Sequence, residues 1–146
     1  MTYCKSCKVC EHKNHNNGLI TSVWGPAVWF SLQCMCKGYP CRINPKNAEH
    51  RRRQKKFYIF FSYILEDLLP CGVCRKHYKD NYQQFPVDKY LDGRLSLCYW
   101  IWAFHNKVNL KIGKNMYSFD SFYKNFEKYR AKDNKKSKKK CILSVE

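Results

Sequence analysis

The sequence predicts an all-α fold, a bundle of four helices plus a short fifth. Two observations carry this. Large apolar residues recur at helical spacing in several windows, and strand-like alternation is scarce. Turn-forming pairs at Gly38 to Pro40, Asn44–Pro45, Phe85–Pro86 and Asp92–Gly93 punctuate the windows. The first helix is expected to begin near Thr21 or Ser22, either of which could cap it, and to run through Trp24, Val28, Trp29 and Leu32. In the second, Phe57, Phe60, Phe61, Ile64, Leu65 and Leu68 form one helical stripe. Tyr58, Ile59 and Tyr63 add apolar surface on its other sides, which predicts burial on more than one face. Pro70 ends it or breaks it sharply. A short helix is expected from Cys71 to about Tyr82. The next carries Leu97, Trp100, Ile101, Phe104 and Val108. The last carries Phe119, Phe122, Phe126 and Tyr129, with Asp120 or Ser118 near its start.

A chain of 146 residues with 45% hydrophobic residues can bury one sizeable core, which excludes wholesale disorder. Three parts are expected. Residues 1–19 read as a flexible, cysteine-containing arm. Residues 20–131 hold nearly all the large apolar side chains and form the folded domain. Residues 132–146 form a basic tail expected to be disordered. The longest apolar stretch, Phe57 to Leu65, is interrupted by Ser62 and followed by Glu66 and Asp67, too short and polar for a membrane span. No apolar core of a signal peptide occurs near the start. The formal charge of +17 is concentrated at Arg51, Arg52, Arg53, Lys55 and Lys56, and again between Lys132 and Lys140. Solubility explains both clusters; docking of acidic partners is the alternative.

Ten cysteines without a signal peptide point to redox chemistry, metal binding or an unusual oxidising niche. The sharpest local feature is Pro70-Cys71-Gly72-Val73-Cys74. Proline before Cys-x-x-Cys suggests a helix start, with both thiols on one face and close enough to bridge. The positive end of the helix, with Arg75, Lys76 and His77 following, predicts a depressed thiol pKa. A redox-active disulfide, half a zinc site and a static disulfide all remain open for this motif alone. Zinc needs four ligands. Cys4 and Cys7, or two of Cys34, Cys36 and Cys41, could complete the set, and His12 and His15 could join the arm's cysteines. Those gaps do not match compact finger spacings, so no metal is expected.

Two further segments flank the motif. One is Trp24-Gly25-Pro26-Ala27-Val28-Trp29-Phe30-Ser31-Leu32-Gln33. The other begins His105-Asn106-Lys107-Val108-Asn109 and continues through Lys111 and Gly113 to Lys114. In this order around Cys-x-x-Cys, they resemble the Erv/ALR family of FAD-linked sulfhydryl oxidases. Trp24, Gly25, Trp29 and Leu32 match the family's W-G-x-x-x-W-x-x-L-H. Cys71, Cys74 and His77 match C-x-x-C-x-x-H-F, with Tyr78 for phenylalanine. Trp100, His105, Asn106, Val108, Asn109 and Lys114 match W-x-x-x-x-H-N-x-V-N-x-x-x-x-K. The resemblance covers about residues 20–131. Gln33 departs from the family's histidine and cannot carry charge. A structural disulfide common in cellular members is also lost, its matching positions being Trp102 and Ser121. Small members encoded by large cytoplasmic DNA viruses are similar in this respect.

The resemblance implies FAD held inside the bundle by Trp24, Gly25, Trp29, Gln33, His77, His105, Asn106, Val108 and Asn109, with Lys111 and Lys114 offering charge to the pyrophosphate. No Gly-rich dinucleotide fingerprint is present, so binding of the Rossmann type is not expected. A substrate thiolate would attack the Cys71–Cys74 disulfide at Cys71. Cys74, against the flavin, would pass the electron pair on, and oxygen would be reduced to peroxide. Cys4, Cys7, Cys10 and Cys141 are candidate shuttle cysteines, although the first three could instead bind metal or do nothing. Cys34, Cys36, Cys41 and Cys98 are core thiols or extra disulfides. The expected partners are reduced protein thiols, a thioredoxin-like relay protein, molecular oxygen and a second copy of the chain. The competing class is a basic zinc-binding nucleic-acid module without enzymatic activity. It explains the charge and the 16% aromatics but not the ordered motifs, and the aromatics fall on core stripes rather than between cations. Nucleic acid is therefore not an expected partner.

Overall fold

The computed structural model describes residues 19–131, which are helical with no strand among them. Helix α1 spans Thr21–Lys37. Helix α2 (Ala48–Ile59) runs through a π-helical turn (Phe60–Ile64) into α3 (Leu65–Leu68). Helices α4 (Gly72–Gln84), α5 (Arg94–Lys111) and the short α6 (Phe119–Glu127) follow. This is the expected count: four long helical segments, with α2 and α3 forming one of them, and a short fifth. No helix among the described residues is long and apolar enough to cross a membrane.

Helix α5 is the central rod. Leu97, Cys98, Trp100, Ile101 and Phe104 are all at most 1% exposed, and α1 packs along it. Trp100 takes the edge of Phe61 at 4.8 Å between ring centroids and packs on Phe104 at 5.2 Å. Its indole N–H donates to the Phe85 carbonyl at 3.0 Å, so the largest buried ring leaves no polar atom unpaired.

Local chemistry differs from expectation at three places. Neither Thr21 nor Ser22 caps α1. The N-cap is Ile20, with no side-chain bond. The second stripe is also not one continuous face. Phe61 and Leu65 are buried, but Ile64 is 41% and Leu68 65% exposed. The π turn is the cause: its wider i→i+5 geometry holds residues spaced by four in line, keeping Phe57, Phe61 and Leu65 on the core side while rotating the i+7 and i+11 positions outward. Finally, Cys71 is the N-cap of α4 rather than its first residue; at the start of α6, as expected, stand Ser118 as the cap and Asp120 in the first turn.

Two polar ties close the bundle. Lys37, at the end of α1, is buried, pairs with Glu127 on α6 and sits 3.2 Å above the centroid of the Tyr123 ring. Residues 40–43 clasp the start of α5: Ile43 N–H donates to Asp92 O at 2.7 Å and Arg94 N–H to Pro40 O at 2.8 Å. A Cβ on Gly93 would stand 2.6 Å from the Cys41 carbonyl oxygen, so only glycine permits this approach. The basic cluster of α2 lies largely on the surface. Arg51 and Arg53 donate to backbone carbonyls of Pro45 and Gly38, and Arg52 has Glu49 no nearer than 3.9 Å.

Candidate functional site

A cavity of about 820 Å³ opens between α1, the start of α4, α5 and the segment around α6. On α1, Gly25, Trp29 and Gln33 fall at i, i+4 and i+8, so one helical face carries all three into the wall, with Trp24 beside them. On α5, His105, Val108 and Asn109 do the same at i, i+3 and i+4. Gly113, at φ +70°, ends α5, and Lys114 N–H folds back onto the Asn109 carbonyl at 2.8 Å. This turn brings Lys114 to the cavity. Cys74 and His77 enter from the first turns of α4.

The wall is aromatic and ordered by hydrogen bonds. Trp29 and His105 stack with centroids 4.1 Å apart and planes 9° from parallel. Gln33 Nε2 donates to the Tyr117 hydroxyl at 2.8 Å and lies 3.1 Å from His105 Nδ1. The Tyr117 hydroxyl is itself 2.8 Å from that nitrogen. Burial, with Lys114 nearby, lowers the His105 pKa to about 4, so the ring is neutral at pH 7. Burial likewise raises Tyr117 to about 12, the bond from Gln33 opposing it.

The Cys-x-x-Cys pair sits at the head of α4. Cys71 Sγ accepts the Cys74 backbone N–H at 3.3 Å, a capping bond made by sulfur. Both cysteines are free thiols here. Cys74 faces the cavity, whereas Cys71 is only 4% exposed and is not part of the cavity wall. The expected depression of thiol pKa is reversed at Cys74. Desolvation by burial, followed by the hydrogen bond and charge coupling with Cys71, raises it to about 11. The following cations do not offset this: Arg75 spends a guanidinium N–H on the Leu69 carbonyl at 2.7 Å, and Lys76 is exposed.

The expected site residues divide by position. Trp24, Gly25, Trp29, Gln33, Cys74, His77, His105, Val108, Asn109 and Lys114 share one cavity wall. Asn106 does not line it. Its side-chain amide brackets Tyr117 instead, donating to the backbone carbonyl at 2.8 Å and accepting the backbone N–H at 3.3 Å. Lys111 is exposed and stands outside the wall. Cys4, Cys7, Cys10 and Cys141 lie outside the described residues. Of the remaining cysteines, Cys34, Cys36 and Cys98 are free thiols, while Cys41 is disulfide-bonded. No cluster of three or more metal-ligating side chains occurs among the described residues. Trp102 packs on Phe119 at 5.5 Å and donates its indole N–H to Tyr117 O at 2.7 Å. Ser121 takes part in the α6 cap. Aromatic packing therefore joins α5 to the α6 segment. Tyr117, Tyr78 and Phe104 also line or order the site. Tyr117 stands in an irregular connection, where no periodicity marks it.

The residues present fit a dinucleotide such as FAD. The cavity lies within the range of cofactor sites. Its walls offer indole and phenyl faces, and Lys114 brings a cation. The Trp24 indole N–H is buried without a hydrogen-bond partner among the described residues, a donor that an acceptor on a bound group would satisfy.

Known proteins resemble this chain in sequence and in fold. The chain is 34% identical over 106 residues to the probable FAD-linked sulfhydryl oxidase of Acanthamoeba polyphaga mimivirus, covering 72% of this chain and 69% of that one. It is 31% identical over 104 residues to the FAD-linked sulfhydryl oxidase of African swine fever virus, covering 70% and 77%. The crystal structure of the FAD binding domain of Erv1 from Saccharomyces cerevisiae superposes with a TM-score of 0.60 at 21% identity, over 75% of this chain and 96% of that one, a likeness of fold. Residues 26–139 match the Erv1/Alr family. That match runs through every helix of the bundle, and the chain belongs to the Erv1/Alr family.

Proposed function

We propose that this protein is an FAD-linked sulfhydryl oxidase that forms disulfides in protein substrates. The observation that carries the reading is Cys74, one thiol of a Cys-x-x-Cys pair, set in the wall of a large aromatic cavity. Trp24, Trp29, Gln33, His77, His105, Val108, Asn109 and Lys114 hold the cofactor. Bound FAD supplies a two-electron acceptor that molecular oxygen regenerates, with peroxide as product.

The protein's own residues perform thiol exchange. In the oxidised enzyme a substrate thiolate attacks Cys71 Sγ, forming a mixed disulfide and breaking the Cys71–Cys74 bond. The bonding pair leaves on Cys74. A second substrate thiolate attacks the substrate sulfur of the mixed disulfide, releasing the substrate disulfide and the Cys71 thiolate. Two substrate thiols have then lost two electrons and two protons, which the Cys71–Cys74 pair holds as thiols, and the pair would close again where a bound flavin takes up those two electrons. Cys71 is only 4% exposed, so it must become more accessible before a substrate thiolate reaches it. Burial raises the Cys74 pKa to about 11, which favours proton uptake by the released sulfur.

Two finer readings accompany this one. Cys4, Cys7, Cys10 or Cys141 relays electrons from bulky substrates, or from a thioredoxin-like protein, to Cys71. Two chains also pair through the exposed apolar residues of the first two long helices, where Val23 is 72%, Tyr63 62% and Leu68 65% exposed.

Oxygen uptake with dithiothreitol, read beside the flavin spectrum of the purified full chain, tests the main reading. Cys71→Ser and Cys74→Ser are each expected to bind FAD and to lose turnover to background. Substantial turnover in either would remove the pair from the reaction. A colourless protein that takes up no FAD would end the flavin reading. Removing residues 1–19 is expected to spare dithiothreitol oxidation and depress oxidation of a reduced protein; equal rates on both would remove the arm as relay. Sedimentation tests pairing, and a concentration-independent monomer would refute it.

A further inference from the structure

Tyr117 lies between α5 and α6, held in an unusual number of ways for a residue in a connection. Its carbonyl accepts from Trp102 Nε1 and Asn106 Nδ2, its N–H donates to Asn106 Oδ1, and its ring stands edge-on to His105 at 5.6 Å. The residues the family resemblance marks at 102 and 106 thus serve to place one hydroxyl. That hydroxyl reaches His105 Nδ1 at 2.8 Å, and the Gln33 amide nitrogen lies 3.1 Å from the same atom.

The directions of these bonds are constrained. A carboxamide nitrogen only donates, so Gln33 gives one hydrogen to the Tyr117 oxygen. The Tyr117 hydroxyl proton then has His105 Nδ1, at 2.8 Å, as the acceptor within reach. Both neighbours of Nδ1 are donors, and a proton on Nδ1 would face an amide N–H at 3.1 Å. Resting on the flavin-site reading above, we infer that Tyr117 is a positioning residue: with Gln33 it fixes His105 as the neutral tautomer bearing its proton on Nε2, the nitrogen left to donate to bound FAD. Burial acts in the same direction by keeping the ring uncharged. The stack on Trp29 sets the plane of the ring, and the Gln33–Tyr117–His105 chain sets where its proton sits. A charged histidine at position 33 would bring a second titrating group beside Nδ1. Glutamine supplies the donor without that ambiguity.

The test is long-range proton–nitrogen NMR of the full chain labelled at histidine, with and without FAD at pH 7, the His105 signal being identified with His105→Gln. The wild-type ring is expected in the Nε2–H form in both states. Tyr117→Phe keeps the ring and removes the hydroxyl. It should give a mixture of tautomers and weaken FAD binding about five- to tenfold, while the thermal midpoint of the FAD-free protein moves little. Gln33→Glu offers Nδ1 an acceptor and should draw a proton onto it. A wild-type Nδ1–H tautomer would overturn the inference. So would a Tyr117→Phe protein whose tautomer or FAD affinity is unchanged. The spectra without FAD decide the tautomer even if no flavin binds, so a failure of the flavin reading is separately visible.

Discussion

The C-terminal turn of α1 and its cavity face are built to opposite specifications. At the C-terminal end the buried side-chain polar groups are answered by the protein. Lys37 is clamped by Glu127 and the Tyr123 ring. The Gly38 and Tyr39 carbonyls take guanidinium N–H groups from Arg53 and Arg94, and the buried Tyr39 hydroxyl donates to Leu91 O at 3.0 Å. Along its cavity face the Trp24 indole N–H has no partner among the described residues, and Trp29 and Gln33 border the cavity. Buried donors are rarely left unpaired in a finished core. The contrast separates the part of the helix completed by folding from the part completed by a ligand.

Breaking the cavity face should cost the most. Trp29→Ala removes the ring stacked on His105 and part of the cavity wall. A loss of about 2 kcal/mol of FAD binding, roughly thirtyfold in Kd, is expected by fluorescence titration. The melting temperature of the FAD-loaded protein should fall more than that of the FAD-free protein. Unchanged affinity would place the flavin elsewhere. Breaking the folded end should cost stability alone. Lys37→Met is expected to lower unfolding free energy by about 1–1.5 kcal/mol in urea, since Glu127 keeps Arg130, with FAD affinity intact. Loss of FAD affinity in that variant would erase the distinction.

Acid should separate the two regions by pH. His105 is neutral in the fold with its pKa lowered to about 4, so the unfolded chain binds more protons below the ordinary histidine value. Its contribution is therefore full above about pH 6.5 and lost as pH falls toward 4. Glu127 is held down to about 2, chiefly by its bond from Arg130. Its contribution is lost only below the ordinary carboxylate range, and exposure of the pair keeps it smaller. FAD-free His105→Gln should flatten the stability profile between pH 4 and 6.5 and nowhere else; a parallel profile would refute this assignment. The smallest effect belongs to Tyr39→Phe, about 0.5–1 kcal/mol by urea melts, because Gln54 still donates to the Leu91 carbonyl at 3.0 Å. A cost above about 2 kcal/mol would mean the hydroxyl has a further role.

Much of this was legible from residue spacing. The stripe of α5 is recoverable because apolar periodicity tracks burial, and Leu97, Trp100, Ile101 and Phe104 are buried as that period requires; in α6 the period holds for Phe119, Phe122 and Phe126, while Tyr129 lies beyond the helix and is 65% exposed. The π turn was not legible: nothing in Phe60-Phe61-Ser62-Tyr63-Ile64 encodes an extra residue per turn, and the choice follows from what Phe61 and Leu65 meet across the core. The cavity residues came from motifs, since a motif marks which helix face carries them. Motif membership did not distinguish wall from scaffold. Asn106 and Asn109 look alike in sequence, yet three residues of helix separate a clamp on Tyr117 from a cavity-lining amide. The Cys74 pKa reversed because helix-dipole reasoning is local, whereas desolvation depends on everything packed around the sulfur.

The clasp at Gly93 also bears on how the chain reaches this state. It joins segments far apart in sequence, Arg94 and Tyr39 being 55 residues apart in one of its bonds. Closing so long a loop is entropically unfavourable until the intervening helices have collapsed. The clasp is therefore expected to form after the folding barrier. Gly93→Ala, whose Cβ would meet a backbone carbonyl that has no rotamer to yield, should accelerate unfolding and leave the refolding rate nearly unchanged. A chevron in which the folding limb moves instead would put the clasp inside the nucleus. By this account the glycine's contribution is to the lifetime of the native state, since it lies on the escape route from the fold and not on the way in.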